Sequence, residues 1–198
     1  MVTIKLNETQ FEVEEGVTVL EAARENGIQI PTLCHNDYLK PYGGCRLCLV
    51  EQVGRPVLVP ACTTAVTDGL EIITESERIT RSRRFVIMLL LSRCPGSEKL
   101  HELADEFDIP YKRESSLDRV GRYLLYRAPK RDVTNCVLCG LCVRVCQEIT
   151  ERHALSISLR GISRKVSPPF AKSADSCIGC GACAYACPTK TIMVEEVT

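Results

Sequence analysis

The chain has no surplus of either charge: 25 Lys and Arg balance 25 Asp and Glu, for a formal net charge of zero. No global field then draws it to nucleic acid or to an anionic membrane. Aromatic residues are scarce at 5%, too few for the interleaved rings of a single-strand nucleic-acid binder. Long apolar runs are missing too. The strongest, "FVIMLLL" from Phe85 to Leu91, has seven residues, against the roughly 20 needed to cross a bilayer. The opening "MVTIKLNETQ" lacks the basic start, apolar middle and cleavage site of a secretory signal. Catalytic signatures are also absent, with no H-E-x-x-H, no P-loop and no Ser/His/Asp set. Residues 179 to 184, "GCGACA", satisfy G-x-G-x-x-A, but they lie in a cysteine loop with no strand before it, which removes a nucleotide-binding reading. The expectation is a soluble, cytoplasmic protein, non-catalytic by itself, that acts through local surfaces.

Cysteine is what the chain has in excess. Thirteen cysteines in 198 residues without an export signal point away from disulfides and toward metal, because the cytosol keeps thiols reduced. Eight of them fall in two runs, "CVLCGLCVRVCQEI" (136–149) and "CIGCGACAYACPTK" (177–190), each reading C-x2-C-x2-C-x3-C. Three cysteines at two-residue intervals put their sulfurs on one tight loop, able to hold three corners of a cube, and a distant fourth is still required. Structural zinc sites use two C-x2-C pairs, or one with histidines, and have no use for four thiols packed so closely. In two-cluster bacterial ferredoxins the fourth cysteine of each run serves the other cluster. On that rule one 4Fe-4S cluster takes Cys136, Cys139, Cys142 and Cys187, and the other takes Cys177, Cys180, Cys183 and Cys146. Gly140, Gly179 and Gly181 let backbone pass close to a bulky cluster and point amides at its sulfurs. Pro188 follows Cys187 as in the ferredoxin run; Gln147 stands after Cys146, a departure that removes no ligand.

The N-terminal stretch alternates with period 2 in "VTIKLN" and "FEVEEG", which predicts a β-hairpin across "NETQ". Thr18 and Glu21 have capping-box spacing, and "ENG" ends the helix that follows at Gly27. A loop after Pro31 and short strands around "CLVEQV", "VLVPAC" and "LEIITE" complete an α+β unit over 1–76. It holds Cys34, Cys45, Cys48 and Cys62, spaced C-x10-C-x2-C-x13-C, and Gly43 and Gly44 allow close backbone approach at the turn. Residues 77 to 110 predict two helices, the first apolar at positions 79, 86, 89 and 90, with Arg78, Arg81, Arg83 and Arg84 on a solvated face, the alternative being a docking surface for a partner subunit. A basic connector runs from Tyr111 to Asp132. The last domain, 133–198, carries both runs and between them an alternating stretch that predicts a hairpin around Gly161; its two similar halves suggest an internal duplication.

The stretch "LCHNDYLKPYGGCRLCLVEQVGRPVLVPACTTAVTDGLEIITES" resembles the 2Fe-2S domain that begins the largest peripheral iron-sulfur subunit of complex I. It is equally similar to iron-only hydrogenases and to the small diaphorase subunit of NAD-linked nickel-iron hydrogenases. The later stretch from "CVLCGLCVRVCQE" to "CIGCGACAYACPT" resembles them in the same order. The resemblance implies a β-grasp ferredoxin fold over 1–76 with one 2Fe-2S cluster on Cys34, Cys45, Cys48 and Cys62. It further implies a helical connector over 77–132 and a ferredoxin-like domain with two 4Fe-4S clusters over 133–198. Those relatives carry a histidine and three cysteines in the middle region for another 4Fe-4S cluster. Here "LLLSRCPGSEKLHELADEFDI" has only Cys94 and His101, so that cluster is expected to be missing, with Cys94 a small buried residue or a helix-end remnant. The resemblance implies one-electron transfer between a flavin-containing NAD(P)H-binding subunit and a catalytic redox subunit. The latter would be a hydrogenase, a formate dehydrogenase or a low-potential CoA-ester reductase. The alternatives are a free-standing multi-cluster ferredoxin and a zinc-binding interaction module.

Overall fold

The computed structural model describes residues 1–110, 135–171 and 174–193. The chain divides into two compact units, Met1–His35 with Pro41–Ile87, and Asn36–Lys40 with Met88–Thr198. The overall class is α+β, as expected. Among the described residues no helix is long and apolar enough to cross a membrane.

In the first unit, β1 (Val2–Leu6) and β2 (Thr9–Val13) form the expected antiparallel hairpin. Asn7 and Glu8 turn it with φ of 48° and 71°, the left-handed pair that a two-residue hairpin demands and that Asn tolerates well. Asn7 is also bound from outside the hairpin: its side-chain oxygen accepts the Thr74 N–H at 2.8 Å, and its own N–H donates to the Ile72 carbonyl at 3.0 Å. Those contacts set the hairpin beside β5 (Glu71–Ile73), which runs parallel to β1. With β3 (Leu49–Gln52) and β4 (Leu58–Pro60) the sheet has five strands in the order β2-β1-β5-β3-β4. This mixed sheet, with a helix between β2 and β3, is a β-grasp.

That helix, α1 (Val19–Glu25), starts in a complete capping box: Thr18 N–H to the Glu21 carboxylate at 2.7 Å, and Glu21 N–H to the Thr18 hydroxyl at 3.2 Å. Its buried Val19, Leu20, Ala22 and Ala23 belong to one core with Ile4 and Leu6, which alternate to the inner face of β1. Each such Leu or Ile contributes roughly 1.5–3 kcal/mol by leaving water. The Val19 N–H donates to the Thr64 carbonyl at 2.8 Å, which ties the start of α1 to the segment that follows Cys62.

Helix α2 (Glu77–Arg93) corrects one expectation. In the first unit it buries Ile79, Arg83 and Ile87, a four-residue spacing. Arg83 is therefore not on a solvated face. It turns inward, where the guanidinium donates to the backbone carbonyls of Leu47 (3.1 Å), Leu49 (3.0 Å) and Thr74 (3.2 Å).

In the second unit the end of α2 buries Leu91 and is followed by Cys94 and by α3 (Glu98–Glu106), whose Leu100, Leu103 and Ala104 form its inner face. Strands β6 (Ser156–Ser158) and β7 (Lys165–Ser167) pair antiparallel across Gly161, as predicted. Helix α4 (Leu141–Glu148) packs against α5 (Ala182–Tyr185), one from each cysteine run. The basic connector expected over 111–132, and Val133 where the last domain was expected to begin, lie outside the described residues.

Candidate metal centres

The four N-terminal cysteines come together although 28 residues separate the first from the last in sequence. Cys34, Cys48 and Cys62 are each 1% exposed. The Cys48 thiol donates to the Cys62 sulfur at 3.3 Å, and the Cys45 N–H donates to the Cys34 sulfur at 3.2 Å. The Cys34 hydrogen bond holds the Cys45 thiol down to about 6 against its burial, with the Leu47 and Leu33 amides helping. Cys62 is likewise lowered, first by the Cys48 thiol, while Cys48 and Cys34 are raised by the same sharing and then by burial. Cys45 also acts electrostatically on Cys48 and on Cys62, so the two thiol pairs form one set.

Backbone dipoles face this set. The Gly43 amide lowers Cys62 and the Gly44 amide lowers Cys34. Gly43 has φ +67°, and a Cβ there would stand 3.0 Å from the Thr63 methyl carbon; at Gly44 a Cβ would meet the Tyr42 ring at 2.4 Å. Buried thiolates are costly unless cations and N–H dipoles hold the charge. Four thiols with amides aimed at them fit an iron-sulfur cluster on these grounds of donor chemistry. Arg46, between Cys45 and Cys48, also has a positive φ of 60°. Nothing in an arginine's chemistry would have announced that turn.

The two C-terminal runs share one backbone design. Gly140 (φ 77°) precedes α4 and Gly181 (φ 73°) precedes α5, so Cys142 and Cys183 each sit second in a helix. One residue before the middle cysteine, Gly179 has φ 67° and its counterpart Leu138 has φ 55°. The first run thus makes with leucine a turn that the second makes with glycine, and that position was not singled out by sequence.

Thiol neighbours cross between the runs. Burial raises the Cys142 thiol to about 12, with further contributions from Cys139, Cys136 and Cys187. Burial also raises Cys183, and the thiols acting on it are Cys180 and Cys146. Cys187 therefore lies within electrostatic reach of Cys142 in the earlier run, and Cys146 within reach of Cys183 in the later one. Each of these crossing sulfurs accepts a backbone N–H, Cys146 from Ala154 at 3.3 Å and Cys187 from Thr191 at 3.3 Å. Burial opposes it, but that Thr191 amide and the Thr189 hydroxyl leave Cys187 below the usual thiol value. Cys177 and Cys180 are exposed. Among the described residues no group of three or more His, Cys, Asp or Glu is arranged to hold a single metal ion.

Cys94 is 0% exposed, and its thiol is raised to about 11 by burial, against the opposing charge of Arg93 and with Cys136 adding to the rise. In α3, His101 places Nε2 at 2.7 Å from the carbonyl oxygen of Pro95, the residue after Cys94.

Comparison with known proteins follows the same division. Residues 1–77 match the 2Fe-2S iron-sulfur cluster binding domain, and residues 135–191 match the 4Fe-4S dicluster domain. The chain is 36% identical over 217 residues to NADP-reducing hydrogenase subunit HndD of Solidesulfovibrio fructosivorans, covering 99% of this chain and 36% of that protein. It is 33% identical over 205 residues to an NADH-quinone oxidoreductase subunit of Rhizobium meliloti (strain 1021), covering 98% of this chain and 24% of that protein. Against NADPH-Fe(3+) oxidoreductase subunit alpha of Geobacter sulfurreducens (strain DL-1 / KN400) the identity is 32%, over 98% of this chain and 24% of that protein. The chain thus spans about a quarter to about a third of the length of these curated relatives. A chain in the crystal structure of NAD+-reducing NiFe-hydrogenase in the H2-reduced state has a TM-score of 0.71 and 30% identity, covering 87% of this chain and 79% of that one.

Proposed function

We propose that this chain, which belongs to one family with the hydrogenase chain just described and itself joins a 2Fe-2S domain to a 4Fe-4S dicluster domain, is an electron-transfer subunit of an NAD(P)-linked oxidoreductase complex. Its partners are a flavin-containing NAD(P)H-binding subunit and a catalytic redox subunit, a hydrogenase, a formate dehydrogenase or a low-potential CoA-ester reductase. The names of the relatives, a hydrogenase subunit, an NADH-quinone oxidoreductase subunit and an NADPH-Fe(3+) oxidoreductase subunit, support that setting.

Within the chain, residues 1–76 hold one 2Fe-2S cluster on Cys34, Cys45, Cys48 and Cys62. Residues 77–132 connect, and residues 133–198 hold two 4Fe-4S clusters. One of these is on Cys136, Cys139, Cys142 and Cys187, the other on Cys177, Cys180, Cys183 and Cys146. When bound, such clusters supply one-electron storage and transfer at potentials set by burial, charge and amide hydrogen bonds to sulfur. The observation that carries the reading is the crossing of thiols, with Cys187 beside the first run and Cys146 beside the second. A protein that merely used cysteines as small apolar residues would have no reason to exchange them. Gly43, Gly44, Gly140, Gly179 and Gly181 let the chain turn close to the sulfurs, and the amides of Gly43 and Gly44 offset thiolate charge at the first set.

The test is iron and acid-labile sulfide per chain on protein purified without oxygen, with low-temperature EPR after reduction. About ten of each are expected for one 2Fe-2S and two 4Fe-4S clusters. Zinc without sulfide would refute the reading, and co-purification with a flavoprotein separates a complex subunit from a free-standing ferredoxin.

A further inference from the structure

Helix α2 sends arginines to the backbone of two cysteine loops, one in each unit. In the first unit Arg83 is 5% exposed. Its Nε donates to the Leu47 carbonyl at 3.1 Å and its Nη2 to the Leu49 carbonyl at 3.0 Å, so the guanidinium holds the peptide on both sides of Cys48. The same Nη2 reaches the Thr74 carbonyl at 3.2 Å, which fixes the loop to the end of β5. In the second unit Arg93 donates from Nε to the carbonyl of Cys136 itself at 3.3 Å, and from Nη2 to the Arg164 carbonyl at 3.0 Å. Each arginine thus spans a cysteine loop and the end of a separate strand, at the residue after β5 and the residue before β7, a task that the planar fork of guanidinium suits.

We propose that the charges of Arg83 and Arg93 raise the reduction potential of the centres whose loops they hold. Arg83 acts on the set of Cys34, Cys45, Cys48 and Cys62, and Arg93 on the set of Cys136, Cys139, Cys142 and Cys187. The inference rests on the cluster assignment above. Guanidinium stays protonated at every working pH, so each arginine is a fixed cation. Arg83 is buried, where screening by salt and water is weak, and Arg93 is half-buried, where it is stronger. Reduction adds one electron to an already anionic thiolate-ligated group, with no bond made or broken and no proton taken up. A nearby cation therefore stabilises the reduced form more than the oxidised one. Removing it lowers the potential.

The two residues control for each other. Full-length protein with its clusters in place is titrated with dithionite and followed by EPR, in which 2Fe-2S and 4Fe-4S signals separate by relaxation temperature. For Arg83→Met the expected reduced-to-oxidised ratio of the 2Fe-2S signal, at fixed potential, is about tenfold below wild type, or about 59 mV for one electron. Its 4Fe-4S signals stay in place. Arg93→Met lowers the ratio for the 4Fe-4S signal of the Cys136, Cys139, Cys142 and Cys187 set and leaves the other 4Fe-4S signal and the 2Fe-2S signal in place. Arg83→Lys and Arg93→Lys keep the charge and remain within about threefold of wild type, by the same one-electron relation. Methionine variants that titrate with wild type overturn the proposal. So do variants that shift every signal alike, as general loosening of the fold would. If Arg83→Met holds no 2Fe-2S cluster, Arg83→Lys decides: a signal at the wild-type potential supports the role of charge, and one displaced tenfold overturns it. Wild-type protein with no 2Fe-2S signal refutes the cluster assignment itself, and the wild-type spectrum tells that failure apart from failure of the inference.

Discussion

Replacing Gly43 by alanine tests the reasoning about the N-terminal turn where it is most quantitative. The residue has φ +67°, a region that costs an L-residue with a Cβ roughly 1–2 kcal/mol. The new methyl would also stand 3.0 Å from Thr63 Cγ2, so that side chain must give way; forced contacts of this kind cost about 1 kcal/mol or more. The sum is about 2–3 kcal/mol, which for a chain of this size lowers the midpoint of thermal unfolding by roughly 5–10 °C. Thr63 is exposed, so Thr63→Ser removes the crowding methyl at little cost of its own. In the double variant Gly43→Ala with Thr63→Ser, about 1 kcal/mol should return while the backbone strain stays. The assay is thermal unfolding followed by loss of the 2Fe-2S visible circular dichroism, with iron content measured alongside. A Gly43→Ala protein within about 0.5 kcal/mol of wild type, the scatter of ordinary surface changes, would refute the account. A double variant no better than the single one would leave the φ argument standing and remove Thr63 from it.

Two more expectations concern the sulfurs. Cys146→Ser should perturb the centre assigned to the later run while sparing the one on Cys136, Cys139 and Cys142, and Cys187→Ser should do the opposite; EPR of the reduced variants distinguishes this from each serine acting on its own run. Cys94→Ala should leave iron at about ten per chain, since no set is assigned to that thiol, and should cost only about 1 kcal/mol of stability through a small cavity at a fully buried position. An iron content lowered by about four in Cys94→Ala would mean that Cys94 holds a cluster after all.

Much of the framework was legible in the residues. Alternation in "VTIKLN" and "FEVEEG" led to β1 and β2, the Thr18 and Glu21 spacing led to a real capping box, and Gly161 turns the predicted hairpin. These are local effects, carried by side-chain period and by groups three residues apart. Helix α2 shows where that reading stops. Apolar letters pointed to positions 79, 86, 89 and 90, yet the inner face in the first unit is Ile79, Arg83 and Ile87. Hydrophobicity alone cannot place a cation inside; the carbonyls that receive it can. Leu138 and Arg46 were missed for a related reason, because a positive φ at a residue other than glycine is imposed by the turn around it and leaves no mark in composition.

The sequence by itself determined the donor chemistry: soft thiols, their number, and their spacing along each run, which follow from residue type and from the short reach of a loop. The tertiary structure decided which carbonyls turn toward α2, at Leu47, Leu49 and Thr74, and which charge is held against the Cys45–Cys48 loop. Those are relations between distant segments. Leu47 and Arg83 are 36 residues apart in sequence and 3.1 Å apart in the fold, and the burial that makes their contact matter exists only once the sheet has closed around it.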